Sequence, residues 1–312
     1  MIKNKLLIVS GVNRSGKSLI APILSSFKNV EPFVVNNNYE RLLQMAYCQK
    51  VNPKFFNFYF KIMSENIMHD QFLGRNVNIK FNDFSSLWKN SDSSNILKKI
   101  LNKDISKKKF LKSKNTYSHF FIHNALFFNN YFLKNFKNYK IINIIRHPID
   151  IIFSWKKKEV YKIFLDKKKI FHESFFIKKN NFYVPYFAKN LNFKKLKGYN
   201  SYEKTLLIAY QTLKLEYKLI KKNLDNKNIL IIDFDKFVVK PNSTLKKIEK
   251  ILNTKRSKQT LKALYNENCP RSDNFQQKLE REIFLLKKLN SSSKKKYYEL
   301  IKNYNYLKKY YD

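Results

Sequence analysis

Lys5-Leu6-Leu7-Ile8-Val9-Ser10-Gly11-Val12-Asn13-Arg14-Ser15-Gly16-Lys17-Ser18 is the stretch on which the fold turns. Its short, unbroken apolar run reads as a strand buried on both faces, and the amphipathic segment from Lys17 to Phe27 reads as a helix. Between them, Gly11 to Ser18 matches GxxxxGK[ST]. In such a loop glycines let successive backbone N–H groups and a helix N-terminus point at one anion. The chain has 4 glycines, and two of them stand at the offsets this turn requires.

The same order recurs further on. Lys140 to Ile145 is the clearest parallel-strand candidate, and it ends in Arg146-His147-Pro148-Ile149-Asp150-Ile151-Ile152-Phe153-Ser154. Pro148 suits a first helical turn and Asp150 a helix N-terminus. Arg146 and Ser154 are placed to converge on a phosphate at the C-terminal edge of a sheet, where open α/β folds bind ligands. A capped helix start with an incidental arginine is the plainer alternative.

Around these motifs the pattern predicts strands at 119–123 and 228–233, with an alternating strand at 76–81. It predicts helices at 39–49, 129–136, 201–223 and from Pro241 to about 253, then at about 276–289 and 293–310. Residues 53–72 read as an aromatic-rich helical or irregular stretch. Residues 90–116 read as a polar surface connection, and 166–198 as an insertion or lid. The expected architecture is a three-layer α/β/α fold with a central parallel sheet, of the P-loop-containing nucleotide-binding type. We expect one domain over 1–312, with C-terminal helices over 276–312.

Composition bounds the partners. With 312 residues, 44% of them hydrophobic, the chain can bury a substantial core, although 63 Lys+Arg against 23 Asp+Glu give a formal charge of +40. Only seven of the basic residues are arginine, and the abundance of Lys, Asn, Ile, Phe and Tyr is what A/T-rich codons produce. An anionic substrate is the functional alternative; nucleic acid is not expected, since the lysines are spread along the chain. Cys48 and Cys269 form no CxxC pair, which fits a reducing compartment. No signal peptide or membrane span is evident, so a soluble, cytoplasmic protein is expected.

Together the two phosphate motifs resemble the sulfotransferases that use 3′-phosphoadenosine 5′-phosphosulfate as donor. In that family a [PG]x[KR]SG[TK][ST] loop holds the 5′-phosphosulfate, and a later RxPxDxxxS holds the 3′-phosphate. The resemblance implies donor binding by Asn13, Arg14, Ser15, Gly16, Lys17 and Ser18, with Arg146 and Ser154 on the 3′-phosphate. A weaker likeness runs from Ile229 through Asp233 to Pro241, so that about residues 5 to 255 are covered. Lys17 departs from the family's usual Thr and completes a Walker A motif. No glycine follows Gly198, so the family's late Gly-rich clasp is absent, and Arg271 is the substitute the sequence offers.

The implied reaction is sulfuryl transfer to an acceptor hydroxyl, with carbohydrate as a family-level expectation for the acceptor. Arg14 and Lys17 supply cations where charge builds on the leaving phosphate. For the base, the resemblance points to His123, with Glu31 as competitor. His119 is a weaker candidate, expected on the same strand face as His123. His147 reads as structural, and His69 and His172 have no companions at metal-ligand spacing, so no metal is predicted. Two other readings stay open: an Mg-ATP-dependent P-loop kinase with Asp233 as the metal-holding acid, and a basic nucleic-acid-binding protein.

Overall fold

The computed structural model describes residues 2–89, 93–101, 115–163, 174–179, 182–191 and 196–311. Its strands are β1 (Ile2–Ser10), β2 (Tyr117–Phe121), β3 (Phe136–Ile145), β4 (Phe176–Lys179), β5 (Phe182–Pro185) and β6 (Ile229–Asp233). Four of them form a parallel sheet in the order β2-β1-β3-β6, while β4 and β5 pair as a separate antiparallel hairpin.

Alternation along β1 explains the layers. Leu6 and Ile8 face a core built with helices Asn37–Tyr47, Pro53–Leu73, Asn129–Asn135, Pro148–Lys157, Ser201–Lys222 and Ser291–Tyr311. Leu7 and Val9 face a second core with helices Lys17–Leu24, Phe234–Val239, Pro241–Leu252 and Gln259–Asn266. Both faces are covered, which is why the strand carries no polar alternation. The three-layer α/β/α fold with a central parallel sheet is the one the sequence predicts.

Local chemistry sets the element ends. Asn52 accepts from the N–H groups of Lys54 and Phe55 to start the 21-residue helix Pro53–Leu73, and Gly74, at φ 70°, ends it. Asn200 and Glu203 close a capping box at the head of Ser201–Lys222. The helices Phe275–Lys288 and Ser291–Tyr311 match the expected C-terminal pair and pack on Pro148–Lys157 and Ser201–Lys222.

Some expectations are corrected. Residues 76–81 form no strand; the segment folds on itself, with Leu87 N–H donating to Asn78 O and Trp88 Nε1–H to Ile79 O. Its alternation came without a partner strand. β2 starts at Tyr117 and ends at Phe121, so His123 lies beyond the ladder. The helices Phe234–Val239 and Gln259–Asn266 were not anticipated. Much of 90–116 and 166–198 lies outside the described residues; the described part of the latter holds the β4–β5 hairpin and the buried Tyr186. No helix among the described residues is long and apolar enough to cross a membrane.

Candidate functional site

The loop after β1 is shaped by three residues in the left-handed region, Gly11 (φ 137°), Arg14 (φ 68°) and Gly16 (φ 106°). A Cβ on Gly11 would stand 2.4 Å from the Ile144 carbonyl oxygen, and one on Gly16 would stand 2.1 Å from the Phe234 ring. Neighbouring chain, as well as backbone torsion, therefore demands glycine at both places.

The two phosphate motifs meet here. Arg14 Nε–H donates to Ser154 Oγ at 2.8 Å, and an Arg146 N–H donates to the Arg14 carbonyl at 3.1 Å. Trp155 Nε1–H donates to Asn13 O at 3.0 Å, so the Pro148–Lys157 helix braces the loop at a third point. The Arg146 guanidinium lies over the Phe234 ring, 4.6 Å from its centroid. Burial pulls its pKa down, opposed by Asp150 and Asp235.

A cleft of about 550 Å³ opens at these strand ends, lined by Asn13, Arg14, Gly16, Lys17, Ser18, His123, Arg146, Trp155 and Lys158 among others. That size suits a nucleotide. Ser15 Oγ is buried beneath the loop without a hydrogen bond, and Arg146 Nε likewise lacks one, with Asp150 Oδ2 at 3.7 Å. The cations and loop N–H groups gathered there, with the Ser18 side chain lining the same cleft, fit a polyanionic ligand such as a phosphosulfate nucleotide. Lys17 lines the cleft too, but its Nζ donates to the Gly11 and Val12 carbonyls at 2.9 and 2.7 Å. A buried ammonium takes the nearest acceptors.

Of the candidate bases, the structure brings His123 to the cleft and leaves Glu31 out. His123 Nδ1 lies 3.1 Å from Glu40 Oε2, the His123 backbone N–H also reaches that oxygen, and Gln44 Nε2–H donates to Glu40 Oε1 at 2.9 Å. A carboxylate only accepts, so Nδ1 carries a proton, and in the neutral ring Nε2 is the nitrogen left bare. Gln44 Oε1 in turn accepts from Phe175 N–H, next to the β4–β5 hairpin. Glu31 lines other cavities and holds Lys99 Nζ at 2.6 and 2.8 Å through its two oxygens. Burial raises its pKa while Lys99 opposes the rise.

His119 does not line the cleft: its ring is fully buried, Nδ1 meets Ser25 Oγ at 3.1 Å, and burial takes its pKa down to about 3. His147 has the structural role expected, its Nδ1 accepting from Ile149 N–H at the helix start. Arg271 does not reach the cleft; its guanidinium donates to Glu267 O and Asn268 O and closes its own turn.

Asp233, the acid a kinase would turn to a metal, caps a helix instead. Oδ1 accepts from the N–H groups of Asp235 and Lys236, and Oδ2 accepts from Tyr304 O–H at 2.8 Å. Among the described residues no cluster of three His, Cys, Asp or Glu is placed to hold a metal ion.

Glu40 escaped the sequence reading. In sequence it is one acid in the first turn of an amphipathic helix, and only the packing of that helix beside residue 123 gives it a partner. The one available signal is Gln44, polar and four residues on, on the same buried face.

No known protein family matches the sequence, and no curated protein matches it. Solved structures resemble it in outline. The sulfotransferase domain from the curacin biosynthetic pathway is 12% identical at a TM-score of 0.46, over 95% of this chain and 97% of that one. The sulfotransferase domain from the Synechococcus PCC 7002 olefin synthase gives 12% and 0.46, over 97% and 94%. Mouse sulfotransferase SULT7A1 complexed with PAP gives 12% and 0.39, over 96% and 84%.

Proposed function

We propose that this chain is a sulfotransferase that moves a sulfuryl group from 3′-phosphoadenosine 5′-phosphosulfate to an acceptor hydroxyl. One observation carries the reading: Arg14 of the glycine loop touches both Ser154 and Arg146 of the second motif. Two anion-binding segments 132 residues apart in sequence thus serve one cleft, as a donor with phosphate at two ends requires.

In this reading the bound donor supplies an electrophilic sulfur and a phosphate leaving group. The loop N–H groups and Arg14 hold the 5′ end, and Lys17 braces the loop beneath them. Arg146 and Ser154 hold the 3′ end. His123 Nε2 takes the proton of the acceptor hydroxyl, and Glu40 steadies the imidazolium that results. The exposed Phe84 lines the cleft and Lys158 adds a cation, which suits a sugar acceptor.

Calorimetric titration with adenosine 3′,5′-bisphosphate, beside ATP with and without Mg²⁺, tests the assignment. We expect metal-independent binding of the bisphosphate, and Arg146→Ala to weaken it by at least about tenfold. Preference for Mg²⁺-ATP would replace this reading with a kinase. Oligonucleotide binding with a steep salt dependence, in place of bisphosphate binding, would make it a nucleic-acid-binding protein.

A further inference from the structure

The helix Pro53–Leu73 is apolar on two sides along its first half. Phe56 and Phe60 are buried in the core, while Phe55, Phe58, Tyr59 and Ile62 stand in solvent at exposures of 54, 67, 41 and 38%. Their spacing of i, i+3, i+4 and i+7 puts all four on one outward stripe. The rings of Phe55 and Tyr59 stack there, with centroids 5.6 Å apart.

Single exposed apolar residues are ordinary, but a contiguous stripe on a helix that is already apolar inside marks a face that something covers. Lysines rim it. Lys54 and Lys61 are exposed on the same helix, and Tyr131, 4.6 Å from Phe56, brings alongside the helix Asn129–Asn135 with its exposed Leu133 and Lys134. Past Ile62 the outer side turns polar with Glu65 and Asn66, so the apolar character belongs to the N-terminal half.

Charge selects the occupant. Joining this face to its copy would press two lysine-rimmed surfaces together on chains of formal charge +40 each. An anionic bilayer satisfies both halves of the pattern. Aromatic rings rest at headgroup depth, lysine stems lie along the apolar boundary, and their ammonium groups meet lipid phosphates. The geometry points to peripheral docking of this face on an anionic phospholipid membrane, with the first half of the helix lowest in the interface. This docking is independent of the chemistry assigned to the cleft.

Vesicle flotation tests it, with phosphatidylcholine alone and with about 30% phosphatidylglycerol added. The variant is Phe55→Ser/Phe58→Ser/Tyr59→Ser, which leaves the net charge unchanged. Wild type should float with the anionic vesicles only, and be released in about 1 M salt, where the Debye length falls to about 3 Å. The triple variant should partition at least about tenfold more weakly. Should that variant fail to melt cooperatively, Phe58→Ser alone, at the most exposed ring, should still lose about threefold. Three results would overturn the proposal: no flotation of wild type, equal flotation of the variants, or a wild-type dimer that the triple substitution separates. Bisphosphate affinity, measured on the same samples, reports on the cleft separately.

Discussion

In the proposed reaction His123 and Glu40 act as a pair, with Glu40 Oε2 holding Nδ1 of the ring at 3.1 Å and so orienting it. Glu40→Gln is therefore expected to lower kcat by about 10- to 100-fold, since the ring loses the carboxylate that orients it. Bisphosphate affinity should not change. A loss of affinity equal to the loss of kcat would reduce Glu40 to a structural part.

Two other buried groups titrate in opposite senses. Glu216 lies under the sheet with Asn143 Nδ2–H on Oε1 at 2.9 Å and no partner on Oε2, and burial takes its pKa up to about 7. The native state then holds a proton that the unfolded chain gives up near pH 4.5, so stability falls as pH rises through 7. Glu216→Gln, which mimics the protonated form, should be about 3 kcal/mol more stable than wild type at pH 8 and nearly equal to it at pH 4, read by denaturant melts. His119 works the other way. Its folded pKa of about 3 lies below its ordinary 6.5, so the stability tied to its neutral ring is complete above pH 6.5 and is lost as pH falls toward 3. His119→Gln should flatten the acid limb of the stability curve.

Among the elements, the glycine loop is the least tolerant of change. Gly16→Ala puts a methyl 2.1 Å from the Phe234 ring at a φ of 106°, while Gly198 has nothing within 4 Å of its added Cβ. Gly16→Ala should cost about 2 kcal/mol or more and weaken bisphosphate binding. Gly198→Ala, measured by the same melts and titrations, should do neither.

The same contrast bears on what the sequence reveals. β1, β3 and β6 were legible because strands buried on both faces carry dense apolar runs, broken in β3 only by Asn143, and the glycine loop was legible because its spacing is imposed by backbone geometry. The convergence of Arg14 with Ser154 and Arg146 followed from two local motifs at strand ends. Phe234 stayed hidden as the shared wall of Gly16 and Arg146, since nothing near residue 234 announces a neighbour at residue 16. Trp88 and Asn78 show the reverse error, where local alternation at 76–81 had no partner to make it a strand. Glu40, Glu31 and Arg271 were sorted by tertiary packing alone.

At the scale of the whole molecule, a charge network ties the C-terminal helices to the cleft. Asp150, beside Arg146, receives Arg281 at 2.6 Å, and Lys278 bridges from 4.0 Å to Asp235 at 2.8 Å. Tyr304 closes the other side on Asp233. Arg281→Ala leaves one oxygen of a nearly inaccessible carboxylate without its partner. We expect a loss of about 3 kcal/mol in thermal or denaturant melts, and a weaker grip on the bisphosphate as Asp150 draws on Arg146 instead. Unchanged affinity in a folded variant would separate the network from the cleft.

That network also sets an order of events during synthesis. Both cleft motifs are synthesised by residue 154, yet the arginine of the second stands beside a carboxylate, Asp150, whose own partners come at 278 and 281. A nascent chain can lay down three of the four sheet strands and still lack an ordered cleft. Capture of a nucleotide by ribosome-bound chains of increasing length should therefore begin late and abruptly, once the last two helices have emerged.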